Sequence, residues 1–222
     1  MRAHRSSLSP SQSPSRSLVD TRTTRSKRMN AYVALVIGST GAVGRDLVAE
    51  LVASAKCAKV IALTRRDVPA SEWHAAFPAL DTALAAEKLE VRAVDFEQLS
   101  ASAVVVRAEE KKVDAAFSCL GTTRKLHDAL KGVPYFGLLA STTKGEAEAN
   151  ARELGCTRTS FFRPGLIDRG ALMRTPELMA SYLLPIITTR AIAKSMVADY
   201  ESALPGVREW SDSAMKAFEA ST

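Results

Sequence analysis

Tyr32-Val33-Ala34-Leu35-Val36-Ile37-Gly38-Ser39-Thr40-Gly41-Ala42-Val43-Gly44 is the stretch on which the reading of the chain turns. Tyr32–Ile37 is a short, continuous apolar run of the kind a strand buried on both faces needs. After the glycines, Val43, Leu47, Val48, Leu51 and Val52 recur at helical spacing, which predicts a helix over Ala42–Ala55. Three glycines, Gly38, Gly41 and Gly44, therefore lie between a first strand and a first helix. The first allows a tight turn, the second lets backbone approach a pyrophosphate, and the third lets helix and strand pack closely. The helix start offers N–H groups and the positive end of its dipole to the phosphates. Ser39 and Thr40 are expected to add hydroxyl donors, and backbone from Ala42 and Val43 completes a candidate dinucleotide loop.

Outward from this loop, strands and helices alternate. Lys59–Thr64, Leu89–Val94, Val113–Leu120, Pro134–Ala140 and Thr159–Arg163 read as further strands, and Gly145–Leu154 as a helix. From Pro164 onward the chain reads as mostly helical, with Ile187–Tyr200 the clearest segment. Such alternation implies a parallel sheet with right-handed crossovers. The expected fold is α/β: a Rossmann-type doubly wound parallel sheet in a single domain over 31–222, with 164–222 as a small, mostly helical part on the substrate side.

The second strand ends in Thr64-Arg65-Arg66. NAD-selective sites usually carry an acid there for the ribose 2′-OH. Two guanidinium groups suit a 2′-phosphate instead, and each charge-assisted hydrogen bond contributes about 1.5–3 kcal/mol. The cofactor expected is thus NADP(H), with Arg65 and Arg66 as its discriminators. Asp95, after the third strand, is placed to accept from an adenine amino group; with Gln98 three residues on, it also reads as a helix cap. Leu120 and Gly121 end the fourth strand, where a glycine lets a cofactor lie close.

The net charge of +6 resides in residues 1–30, which hold seven Lys/Arg and one acid and leave 23 of each for the remainder. A neutral domain gives no support to nucleic-acid binding. Residues 1–30 are rich in Ser and Arg and poor in apolar groups, so they are expected to be a disordered tail, a mitochondrial transit peptide, or an extension ahead of a start at Met29. Cytoplasm is the expected compartment, with the mitochondrion as the alternative. Cys57, Cys119 and Cys156 are scattered, as are His4, His74 and His127, so neither a disulfide framework nor a metal site is expected.

The stretches VIGSTGAVGRDLV, KVIALTRRDV, VDFEQL, FSCLGTTR, KGEAEA and FFRPGLI, spanning about residues 33–167, resemble the atypical short-chain dehydrogenase/reductases, most closely the Tat-interacting-protein-like oxidoreductases. The resemblance implies an NADPH-binding Rossmann fold that reduces a carbonyl substrate by hydride transfer. It matches Gly38, Ser39, Gly41 and Gly44 to the phosphate loop and Arg65 and Arg66 to the 2′-phosphate. Asp95 matches the adenine contact, Leu120 and Gly121 the wall beside the ribose, and Arg163-Pro164-Gly165 the loop near the nicotinamide. It further implies a Ser, Tyr and Lys set for catalysis, in which Ser141 matches the Ser and Lys144 the Lys. Four residues before Lys144, where the family carries Tyr, stands Ala140; Tyr32, Tyr135, Tyr182 and Tyr200 lie at other spacings or elsewhere. Two stretches are also short: residues 122–132 leave eleven residues between the fourth and fifth strands, and only Thr142 and Thr143 separate Ser141 from Lys144. Two functions follow: an oxidoreductase acting on a small molecule, or a cofactor-binding regulatory or scaffold protein, with a protein partner, in which turnover is impaired.

Overall fold

In the computed structural model, residues 31–96, 113–120, 130, 133–140, 149, 151–170 and 185–219 are described. Strand β1 (Tyr32–Ile37) has all six residues buried, as its unbroken apolar sequence requires. Alternate side chains of β1 enter different cores. Tyr32, Ala34 and Val36 join Val43, Leu47, Val48 and Leu51 of helix α1 (Ala42–Ala53). Val33, Leu35 and Ile37 join Leu130, Ala151 and Leu154 on the other face. This period of two, with apolar partners on both sides, is what a doubly wound sheet demands.

Strands β2 (Cys57–Thr64) and β4 (Ala115–Ser118) flank β1, and both pair with it in parallel. With β3 (Leu89–Ala93), β5 (Tyr135–Leu139), β6 (Arg158–Arg163) and β9 (Gly206–Ser211), the sheet runs β3-β2-β1-β4-β5-β6-β9, parallel throughout. The order reverses at β1, so a crevice opens between the carboxyl ends of β1 and β4.

Helix α1 shares its face of the sheet with α4 (Thr189–Glu201), and Thr189 donates to Asp46 across the pair at 2.5 Å. Each large apolar side chain buried there contributes about 1.5–3 kcal/mol. Truncating fully buried Leu47 to Ala would cost about 2–5 kcal/mol. The last turn of α1 carries no basic residue of its own. Lys88, at the end of α3 (Thr82–Lys88), donates instead to Val52 O at 3.0 Å and Ser54 O at 2.9 Å. A shorter helix, α2 (Trp73–Ala76), precedes α3.

The carboxyl-terminal part departs from its mostly helical reading. Strand β7 (Leu166–Asp168) pairs in parallel with β8 (Ile186–Thr188), so the helix expected from Ile187 begins only at Thr189. Thr188 caps it, accepting from Ala191 N at 3.1 Å. Beyond α4, β9 adds a seventh strand to the main sheet, and α5 (Asp212–Lys216) follows it. The sequence Gly206-Val207-Arg208-Glu209-Trp210-Ser211 escaped a strand reading because an edge strand needs no apolar run. Its hold comes from the ladder to β6 and from Trp210, whose ring stacks on Phe162 at 6.0 Å. The other expected strands form with ends shifted by a few residues. In the expected helix Gly145–Leu154, residues 149 and 151–153 are helical, and the rest of its first half lies outside the described residues.

Candidate cofactor site

Gly38 follows β1 with φ of +76°, a left-handed conformation that side chains disfavour. The turn closes with Gly41 N donating to Gly38 O at 3.0 Å. Gly41 is the N-cap of α1 and brings no side chain to the N–H groups of the first turn, which stay available to an anion. At Gly44 a Cβ would stand 2.0 Å from Gly38 O, so only glycine lets α1 approach β1 this closely. The side chain of Leu120, more than half exposed, lies directly over Gly38; a Cβ there would be 2.5 Å from Leu120 Cγ. Leu120 thus walls one side of the loop. Gly121 lies outside the described residues.

One sequence expectation for this loop is corrected. Ser39 is fully buried, and its hydroxyl donates to Leu63 O at 2.9 Å. That proton is engaged with β2, so Ser39 can offer a phosphate only its backbone N–H. Thr40 and Gly41 are exposed at the loop surface, with Val43 buried behind them and Ala42 between.

At the carboxyl ends of β2 and β3, Arg65, Ala93, Val94, Asp95 and Phe96 line a cavity of about 560 Å³. The fold thus brings together Arg65 and Asp95, thirty positions apart in sequence. Arg65 and Arg66 are exposed, and neither side chain forms an ion pair among the described residues. Gln98, the other half of the expected capping box, lies outside the described residues. Arg163 ends β6 at the same edge of the sheet, and its guanidinium meets Glu209 of β9 at 2.9 Å. The following loop, through Pro164, is held where Gly165 N donates to Asp212 at 2.9 Å. Ser141 and Lys144 lie outside the described residues, so the structure does not place the expected catalytic pair.

The three tyrosines among the described residues lie at the opposite edge. Tyr32 and Tyr135 open β1 and β5, and Tyr200 sits near the end of α4, with its ring 4.5 Å and 4.9 Å from theirs. Tyr32 donates to Glu201 at 3.1 Å and Tyr135 to Asp199 at 3.0 Å. Burial pushes the Tyr32 and Tyr135 hydroxyls well above the usual phenol range, reinforced by the carboxylates, and raises Tyr200 to about 12. Ala140 is buried after β5. Tyr182 is outside the described residues. A second cavity, about 310 Å³, lies at this edge, but its charges are engaged internally, Lys56 with Glu201 at 3.1 Å and Arg158 with Asp199 and Tyr200 O.

Sequence reading missed the Asp199 cluster. This fully buried carboxylate accepts from Ser160 (2.6 Å), Tyr135 (3.0 Å), Arg158 (3.2 Å), Arg208 (2.9 Å) and Trp210 (2.9 Å). Burial pushes its carboxyl up, but the hydrogen bonds from Ser160, Trp210, Tyr135 and Arg158 outweigh that and hold it below the usual range. A signal existed: Asp199 continues the apolar stripe Ile192, Met196 along α4. The cysteines are free, and burial raises Cys57 and Cys156 to about 11 and Cys119 to about 12, so none is primed as a thiolate. Among the described residues there is no cluster of three metal-ligating side chains and no helix long and apolar enough to cross a membrane.

No protein-family model matches the chain. Protein HTATIP2 of Rattus norvegicus is 27% identical over 220 residues, covering 77% of this chain and 84% of the rat protein. The aligned span exceeds the share of this chain that it covers, so the rat protein carries segments without a counterpart here. Among solved structures, a 3-oxoacyl (acyl-carrier-protein) reductase from Agrobacterium tumefaciens C58 with NADP bound has a TM-score of 0.60 at 14% identity, covering 83% of this chain and 94% of that one. A putative epimerase from Burkholderia cenocepacia J2315 has a TM-score of 0.57 at 18% identity, covering 85% and 80%. The resemblance to the atypical short-chain dehydrogenase/reductases holds. The structural likenesses carry the fold, and the rat relative adds kinship in sequence. In that shared fold the glycine loop lies at the sheet's switch point.

Proposed function

We propose that this chain is an NADP(H)-binding protein of the short-chain dehydrogenase/reductase type, preferring NADPH to NADH. The observation that carries the reading is the shared cavity of Arg65 and Asp95, beside a glycine loop that no Cβ at Gly44 would permit. The uncapped first turn of α1 and the loop backbone would hold the pyrophosphate, Arg65 and Arg66 the 2′-phosphate, and Asp95 the adenine. When bound, the nicotinamide supplies a hydride to a carbonyl carbon of a small-molecule substrate.

A second reading, binding with little turnover, is favoured by the tyrosines. Carbonyl reduction needs a proton at the oxygen. Tyr32, Tyr135 and Tyr200 all sit at the edge of the sheet away from the glycine loop, with hydroxyl pKa values raised. Ser141 would steady the carbonyl and Lys144 would lend positive charge, but neither replaces a positioned phenol.

Titration of the purified protein with NADPH and NADH tests the cofactor reading. NADPH should bind about ten- to a hundredfold more tightly. The Arg65→Ala/Arg66→Ala double variant should lose that margin while keeping its NADH affinity. Equal affinities in the unmodified protein would remove the 2′-phosphate assignment.

A further inference from the structure

Thr64 closes β2 immediately before the two arginines and is 97% removed from solvent, with a relative exposure of 3%. A hydroxyl so buried must find partners. Its Oγ1 donates to Arg66 O at 2.7 Å, with Arg92 O 3.1 Å away as a second acceptor for the same proton. Its own carbonyl accepts from Val94 N at 2.9 Å. One residue earlier, Leu63 O takes the proton of buried Ser39, the second residue of the glycine loop. Two buried hydroxyls thus tie the end of β2 to the glycine loop on one side and to the end of β3 on the other.

The Thr64 bond folds the backbone back two residues, a local side-chain turn that an apolar side chain cannot hold. Arg65 stands at the bend, exposed, and reaches the cavity that it shares with Asp95. A long, flexible side chain loses less freedom on binding when its backbone origin is already fixed. We propose that Thr64 is a positioning residue for cofactor selectivity, its hydroxyl aiming Arg65 and Arg66 at the 2′-phosphate. Ser39 sets the matching distance from the pyrophosphate loop, which both nicotinamide cofactors share. The proposal rests on the NADPH reading above and adds the residue that makes the arginines effective.

The experiment measures Kd for NADPH and NADH in the unmodified protein, Thr64→Val, Thr64→Ser and Ser39→Ala, with melting temperature recorded for each. Thr64→Val keeps the shape and removes the donor. It should weaken NADPH about tenfold and leave NADH within about twofold, so the selectivity ratio falls about tenfold. Thr64→Ser keeps the hydroxyl and should leave the ratio unchanged. Ser39→Ala should weaken both cofactors together. In an Arg65→Ala/Arg66→Ala background, Thr64→Val should no longer alter NADPH affinity, because nothing is left to aim. A merely structural Thr64 would lower the melting temperature and weaken both cofactors alike, which overturns the proposal. So does a selectivity ratio that Thr64→Val leaves intact, or one that Thr64→Ser reduces, the latter decisive should Thr64→Val not fold. An unmodified protein without NADPH preference overturns the cofactor reading itself, and the positioning role with it; preference retained in Thr64→Val overturns the positioning role alone.

Discussion

Gly44 faces Gly38 so closely that a single added methyl would lie 2.0 Å from the Gly38 carbonyl oxygen and 2.8 Å from its carbon. Both obstacles are backbone, so α1 or the loop must move to admit a side chain. Gly44→Ala is expected to cost about 1–3 kcal/mol of stability, in the range of overpacking. It should also lose cofactor affinity beyond what the lowered melting temperature explains, because the N–H groups of the first turn shift with the helix. Calorimetric titration with NADPH beside thermal melts checks this. Unchanged binding by Gly44→Ala would show that the loop is not the pyrophosphate site.

Asp199 is a fully buried carboxylate that accepts from five side chains. Asp199→Ala would leave Arg158, whose side chain is nine-tenths buried, without its counter-charge. Breaking a buried pair in this way costs about 3–5 kcal/mol, a loss readable as a lower urea midpoint.

The same residue sets a pH dependence. Its folded carboxyl is held below its ordinary value of 3.8. The stabilisation is therefore complete above that value and fades as pH falls through the lower folded pKa. Comparing unfolding of the unmodified protein and Asp199→Asn from pH 7 to pH 2 should show a gap in stability that narrows only at the acid end. A gap widening toward acid would reverse the assignment.

Turnover is expected to be slow. Positioned general-acid catalysis contributes about 10²–10⁴-fold, and no tyrosine among the described residues reaches the glycine-loop edge. Model carbonyls with NADPH should be reduced more slowly than by a tyrosine-bearing relative by a factor of that order. Tyr32→Phe and Tyr200→Phe should leave the residual rate unchanged. Fast reduction that Lys144→Ala abolishes would point to another proton donor.

A chain begun at Met29 should melt within a few degrees of the full chain. Residues 1–30 carry no periodic apolar face, and the first strand begins only at Tyr32. A large drop on truncation would mean that the segment contributes to the packed domain.

Local chemistry wrote itself plainly into the sequence. Tyr32–Ile37 is apolar throughout because both faces of β1 are covered, and Gly44 stands where a backbone contact tolerates no Cβ. The place of Arg65 and Arg66 directly after β2 was equally legible, and the fold leaves both exposed there. What the sequence could not display depended on partners far along the chain. Strand β9 is half polar and is a strand only because β6 offers it an edge. Ser39 looked like a phosphate donor until the fold set Leu63 O beside it. Nothing in the sequence names the partners of Asp199, and only the fold brings Tyr135, Arg158, Ser160, Arg208 and Trp210 together on it. Periodicity reports which face of an element is covered; only the tertiary arrangement decides which hydroxyl, carbonyl or charge covers it, because hydrogen-bond partners are chosen by distance in space and not by spacing in sequence.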